Sequence, residues 1–306
     1  MNIDLLVPLF AAAVVSGTPL LYATLGELCT EKTGVLNLGV EGVMLVGCLA
    51  AFVTARLTGS PWLAFAAAGL AGGLFASLHG VVCLLFQGNQ VVSGLALTLL
   101  GTGLANYLGT GLVGQAAPGF APLPIPGLAG IPMLGPILFA HDPLVYLSYL
   151  LPPLFWLFFT KTRPGLHLRA AGEFPGAATA AGLNAVACRW VGVVAGGFFM
   201  GLGGAYLSLA YTHLWTNNLT AGRGWIAIAL VIFAFWRPGR AAFGAYLFGG
   251  IMALQLRLQA AGTTLPSSLL LMLPYVLTVA VLVFSAGRRR TAPAPAALGV
   301  NIEPPA

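Results

Sequence analysis

Chemistry has few places to reside in a chain of 306 residues with seven Asp+Glu, thirteen Lys+Arg, four His and four Cys. The stretch from Gly26 to Gly47, GELCTEKTGVLNLGVEGVMLVG, concentrates it. Glu27, Glu31 and Lys32 close one apolar run, and Asn37 and Glu41 open the next among Gly34, Gly39, Gly42 and Gly47. Small residues at such spacing let helices approach closely. If that second helix starts at residue 35, Glu41 lies about 9 Å into it at the helical rise. An ionisable group in hydrocarbon costs at least ~2.5 kcal/mol at the centre of a span, so Glu41 must face protein or a water-filled path. Two roles fit it: a carboxylate of a solute pathway, or a structural carboxylate capping neighbouring backbone amides.

A second polar stripe follows. Thr98, Thr102 and Asn106 recur every four residues, on one face of a helix, after Asn89, Gln90 and Ser93. The stripe either lines a path or hydrogen-bonds across helices, and Gln255 is a weaker case of the same kind. The segment Asn217 to Trp225, NNLTAGRGW, breaks the chain before a short apolar run. That pattern marks binding sites in transporters, and it equally suits an outer turn.

No enzyme constellation is present: no GxSxG, no HExxH, and no Cys/His cluster at metal spacing. His79, His141, His167 and His213 fall in different segments and read as polar interface residues. The only lysines, Lys32 and Lys161, lie in no Walker A pattern, so the chain does not hold ATP through that loop. Cys29, Cys48, Cys83 and Cys188 give no disulfide framework and read as buried small hydrophobes.

The elements that must position these groups follow from composition. Apolar residues make up 58% and charged residues 7%, where a soluble domain carries about 25% charged. This excludes a soluble enzyme, a nucleic-acid binder and a disordered chain, and predicts an all-α polytopic membrane protein with about 8–10 spanning helices. Apolar runs lie at 3–25, 35–55, 61–86, 91–113, 143–160, 189–211, 223–236, 241–258 and 268–285. The N-terminal run lacks the basic n-region of a signal peptide and is expected to span. The run 223–236 covers only ~21 Å, short of a ~30 Å hydrocarbon core, so it is tilted, recessed or joined to a broken neighbour.

Lys and Arg set the orientation. With an outside N-terminus and nine spans, Lys32, Lys161, Arg163, Arg169, Arg189, Arg237, Arg240 and Arg288 to Arg290 fall inside, and only Arg56, Arg223 and Arg257 outside. Residues 1–287 then form the membrane domain, with an outer loop at 114–142 and a cytoplasmic loop at 161–188. Six prolines between Pro118 and Pro136 predict a stiff outer cap without regular helix. The stretch RAAGEFPGAATAAGL, Arg169 to Leu183, predicts a short Ala-rich docking helix. Pro175 suits its first turn, Glu173 its positive end and Gly182 its stop. Residues 288–306 are expected to be a disordered cytoplasmic tail.

The block Glu31 to Gly42, EKTGVLNLGVEG, resembles the signature of inner-membrane permease subunits of ABC importers, the class of the ribose and branched-chain amino-acid permeases. Within it the chain is most similar to the nucleoside or simple-sugar type. Three further blocks agree in order: Asn89 to Leu100, Arg169 to Leu183, and Gly222 to Trp236 with the following GRAAFGAYLFG. Phe174 departs from the Asn that the family commonly carries in its Gly-Glu-Asn-Pro turn.

The resemblance implies a transport subunit of the bacterial cytoplasmic membrane, with no catalytic residue, metal or cofactor of its own. It implies a partner ATPase that holds ATP and Mg, a second permease in a heterodimer, an extracytoplasmic solute-binding protein and surrounding lipid, with no nucleic acid. Gly172, Glu173, Pro175, Ala178, Ala181 and Gly182 would then couple to the ATPase, and 172–183 would be the coupling helix. Asn37, Glu41, Asn89, Ser93, Thr98, Thr102 and Asn106 are the expected pathway residues. The cargo expected is a small neutral solute, a nucleoside first and a simple sugar next. An ion-coupled transporter using Glu41 as proton carrier is the alternative.

Overall fold

The computed structural model describes residues 3–263, 266–286 and 294–302. In chain order its helices are α1 (Ile3–Lys32), α2 (Val40–Thr58), α3 (Pro61–Gly80), α4 (Gln90–Gly109), α5 (Leu134–Leu138), α6 (Pro143–Lys161), α7 (Arg163–Glu173), α8 (Pro175–Ala180), α9 (Ala185–Tyr206), α10 (Arg223–Ala234), α11 (Pro238–Ala260) and α12 (Ser267–Ala286). Wide π-type turns prolong α3 through Val81–Leu85 and α9 through Leu207–Tyr211. Among the described residues the only β pairing is an isolated bridge between Ala116 and Leu214. Among the described residues, seven helices are long and apolar enough to cross a bilayer: α1, α2, α3, α4, α6, α9 and α11. Shorter apolar helices, α10 and 269–281 within α12, match the two remaining apolar runs.

Glycine lets the inner helices touch through their backbones. A Cβ on Gly72 of α3 would strike the Gly197 carbonyl of α9, and one on Gly204 of α9 would strike the Met44 carbonyl of α2. On the other side of α1, a Cβ on Gly249 of α11 would strike the Ala13 carbonyl. Lipid removes the hydrophobic drive for helix association, so close van der Waals packing of this kind carries it instead. The α1–α2–α3–α9 group is therefore the rigid frame on which other elements hang.

The two ends of the bundle differ. At the basic end Lys32, Arg169, Arg237 and Arg240 line one cleft of about 620 Å³. At the opposite end the proline-rich stretch folds back over the helix ends: Phe120 packs on Trp62 at 4.8 Å and its N–H donates to Leu209 O at 2.8 Å. That stretch is not wholly without helix, since α5 forms within it. Pro136 sits in the first turn of α5, where its missing N–H has no intrahelical partner to lose.

Four further expectations are corrected. The second helix starts at Val40 instead of residue 35. Gly34 adopts a left-handed φ of +89°, which favours glycine, and the Asn37 side chain accepts from its own Gly39 N–H at 2.8 Å, competing with helical bonding. The loop 161–188 holds two helices, with Phe174 at the joint, so Glu173 ends α7 and does not lie within the short helix α8. Arg223, counted with the outside residues, starts α10 with its side chain buried against protein. Lastly, residues 294–302 are not disordered: they dock on the basic end, with Ala297 N–H donating to Gly172 O at 3.0 Å and Gly299 N–H to Gly34 O at 3.2 Å. The remaining tail residues, 288–293 and 303–306, lie outside the described residues, and with them the Arg288–Arg290 cluster.

Candidate functional site

The site forms around α10, which begins inside the bundle. The approach to it is irregular, with positive φ at Asn218, Ala221 and Gly222. A Cβ on Gly224 would strike the Glu41 backbone N–H, so glycine allows this contact. The first N–H groups of α10 have no intrahelical acceptor and carry partial positive charge. Glu41 supplies both acceptor and charge. Its Oε1 accepts from Thr220 Oγ1 at 2.6 Å and from Gly222 N–H at 2.8 Å, and its Oε2 from Gly224 N–H at 2.6 Å. Arg223 beside it donates to Thr220 O at 3.1 Å and lies 5.4 Å from the Tyr211 ring centre. These contacts match the capping role of Glu41.

The far end of α10 is held by the same sequence block. Phe235 and Trp236 turn the chain at φ of 50° and 54°, and the Trp236 indole N–H donates to the Glu31 carboxylate. Ten positions apart, Glu31 and Glu41 thus bracket one twelve-residue helix. At 1.5 Å per residue that helix is about 18 Å long, which fits a break within the membrane.

Between the two brackets runs the non-helical segment 33–39, which the polar stripe holds. Asn37 N–H donates to Glu27 Oε1 at 3.1 Å. The Asn37 side-chain Nδ2 and Glu27 Oε2 are buried with no hydrogen-bond partner. Thr98 Oγ1 donates to Leu38 O at 2.9 Å, and Gln90 Oε1 accepts from Leu36 N–H at 2.8 Å. His79 bridges Ser93 Oγ at 2.9 Å and Leu36 O at 3.1 Å. Asn89 caps α4, its Oδ1 accepting from Val92 N–H at 3.0 Å. Thr102 is half-buried one turn beyond Thr98. Asn106 pairs twice with Asn218: its amide donates to Asn218 Oδ1 at 2.8 Å and its Oδ1 accepts from Asn218 N–H at 3.0 Å. The stripe therefore splits, its first half holding segment 33–39 and its last residue the approach to α10.

The six loop residues assemble at the basic end. Gly172 is buried so close to the Lys32 carbonyl that a Cβ would overlap it, while Glu173 Oε2 accepts from Ala296 N–H at 3.1 Å. Pro175 is the first residue of α8, Ala178 is its buried residue, and Ala181 and Gly182 are exposed. Gly182, at φ +82°, donates to Thr179 O at 2.9 Å, and Leu183 N–H to Ala178 O at 3.0 Å. This is the paired closure of a Schellman stop. Phe174, in place of the family's Asn, is 69% exposed. Sequence reasoning missed Thr220, Gly222 and Gly224 as partners of Glu41; the glycine-interrupted NNLTAGRGW was the signal that pointed there. Among the described residues no three His, Cys, Asp or Glu side chains converge to hold a metal.

The family model described as the branched-chain amino acid transport system permease component matches residues 9–282. The chain belongs to this permease family. It is 42% identical to a Haloferax volcanii protein described as a glucose ABC transporter permease, TsgC13, over 82% of this chain and 78% of that one. It is 35% identical to the nucleoside ABC transporter permease NupC of Lactococcus lactis, over 95% of each chain. To the guanosine ABC transporter permease NupQ of Bacillus subtilis it is 34% identical over 94% of each. No solved structure matches it. The permease is thus a multi-pass ABC transport subunit and not an enzyme, and family membership implies an ATPase and a solute-binding protein as partners. Nothing in these likenesses supports the ion-coupled alternative.

Proposed function

We propose that this permease imports a neutral nucleoside across a bacterial cytoplasmic membrane, with a simple sugar as the second candidate cargo. The observation that carries the choice is the coverage of NupC and NupQ, which match along nearly the whole chain, whereas the glucose permease, though more identical, matches a shorter part. The spans offer few ionisable groups, which suits an uncharged solute.

In this reading the basic end faces the cytoplasm, the C-terminus with it, and the exposed α8 seats in a groove of the ATPase. A related second permease completes a heterodimer, and a binding protein delivers solute at the proline-rich end. ATPase closure moves α7 and α8 and alternates access without covalent chemistry; only differential packing in two states is required. Glu41, Asn37, Asn89, Ser93 and Thr98 maintain the broken helices, while Thr102 and the Asn106–Asn218 pair are the polar groups offered to solute. The experiment is uptake by vesicles holding the permease with its genomic partners. ATP-dependent accumulation of labelled guanosine or uridine, competed by nucleosides and not by glucose, is the expected result. Uptake of glucose alone reverses the cargo, and uptake that persists without ATP but collapses with the proton gradient overturns the class.

A further inference from the structure

Arg189, near the start of α9, is fully buried. Its guanidinium donates to two carbonyl oxygens, Val300 at 2.6 Å and Ala297 at 3.3 Å, both on the docked segment 294–302. A buried cation must be paired or hydrogen-bonded to be tolerated, and here chain more than a hundred residues away supplies the acceptors. From that anchor the segment reaches three other places. It meets the coupling loop where Ala297 N–H donates to Gly172 O and Ala296 N–H to Glu173 Oε2. It meets the hinge 33–39 where Gly299 N–H donates to Gly34 O. It meets the start of α4 through Asn301, whose amide donates to Gln87 O at 2.6 Å and whose Oδ1 accepts from Gln90 at 3.0 Å. Gln87 in turn donates to Ile302 O at 3.0 Å.

We infer that Arg189 is a positioning residue for transport, and that the strap it anchors, residues 294–302, carries displacement of the coupling loop to the hinge at 33–39. The hinge has no helical ladder of its own and sits between the two carboxylates that bracket α10. Its backbone and that of the coupling loop bond to the same strand of chain, so the two move together or the strap detaches. Gln90 bonds both to the strap and to Leu36 of the hinge, which closes the linkage on the far side.

This inference rests on the proposed seating of an ATPase on 172–183. The test uses the full permease assembled with its ATPase and partner permease in proteoliposomes, and reads guanosine accumulated per ATP hydrolysed. Three variants are compared: Asn301→Ala, which removes the Asn301 side-chain bonds at the far end of the strap and leaves Gln87 on Ile302; Arg189→Lys, which keeps the charge but loses the two-carbonyl fork; and deletion of 294–306. All should retain the ATPase on purification and continue hydrolysis, yet move less solute per ATP. The deletion should fall about tenfold, equivalent to 1.4 kcal/mol of lost preference between two states. Combining the two point variants should cost no more than the deletion, because they act through one element. If the deletion fails to accumulate, the two point variants decide. Wild-type solute per ATP in both overturns the strap. Should Gly182→Val also leave coupling intact, the coupling-loop assignment itself is overturned; should Gly182→Val uncouple while the strap variants do not, only the strap is lost.

Discussion

Replacing Glu41 by Ala removes the single acceptor set that closes the N-terminus of α10. Two backbone amides, Gly222 and Gly224, and the Thr220 hydroxyl lose their partner. The hydroxyl can rotate to another acceptor, so the cost is carried by the amides. A buried donor left unsatisfied costs about 1–3 kcal/mol. Gly222 is half-buried and recovers part of its loss from water, so the total is about 3 kcal/mol, or on the order of a hundredfold in local opening. Hydrogen exchange read by mass spectrometry on peptides covering 215–228 measures this directly, with α3 and α9 peptides as internal controls. Exchange should rise by that factor in Glu41→Ala and leave the controls unchanged. Glu41→Gln should fall between, since its oxygen still accepts while its NH₂ group confronts an N–H. Uptake should drop in the same order. Unchanged exchange in the Ala variant would refute the capping role.

Two further outcomes follow from other sites. Gly182→Val puts a β-branched residue at φ +82°, costing about 1–3 kcal/mol of local strain; α8 should fray, and solute moved per ATP should fall with membrane accumulation of the chain unchanged. Asp142 caps α6, accepting from Leu144 and Val145 N–H, and also accepts from the Tyr206 hydroxyl. Burial pushes its carboxyl above the usual aspartate range, partly offset by those donors. An acid raised in the folded state contributes stability that is full below its unfolded pKa and is lost as pH rises through the folded one. Heat-inactivation midpoints between about pH 4 and 7 should therefore favour Asp142→Asn over wild type increasingly as pH rises, and a difference that shrinks with pH would contradict the burial cause.

The amino-acid sequence by itself determined the class and the apolar runs, seven of which are long enough to span among the described residues. Hydrocarbon permits only backbone that satisfies itself, so run length and composition are nearly sufficient for the class. It also indicated that a carboxylate such as Glu41 in an apolar run must have partners, and Glu41 has three. Which partners was beyond it. Glu41 finds Gly222 and Gly224 some 180 residues on, and Arg189 finds Val300 across 111; no periodicity encodes such distances. The unwinding of 33–39 was equally hidden, since Gly34 and Asn37 suit a helix entrance as well as a break. Tail residues 294–302 read as disordered because Pro and Ala offer little to bury, yet their order comes from backbone groups answering a buried cation and two open loops. Composition therefore decided what must lie in the membrane, and only the tertiary structure decided which unsatisfied groups meet there, because hydrogen-bond pairing depends on three-dimensional proximity that a linear pattern does not contain.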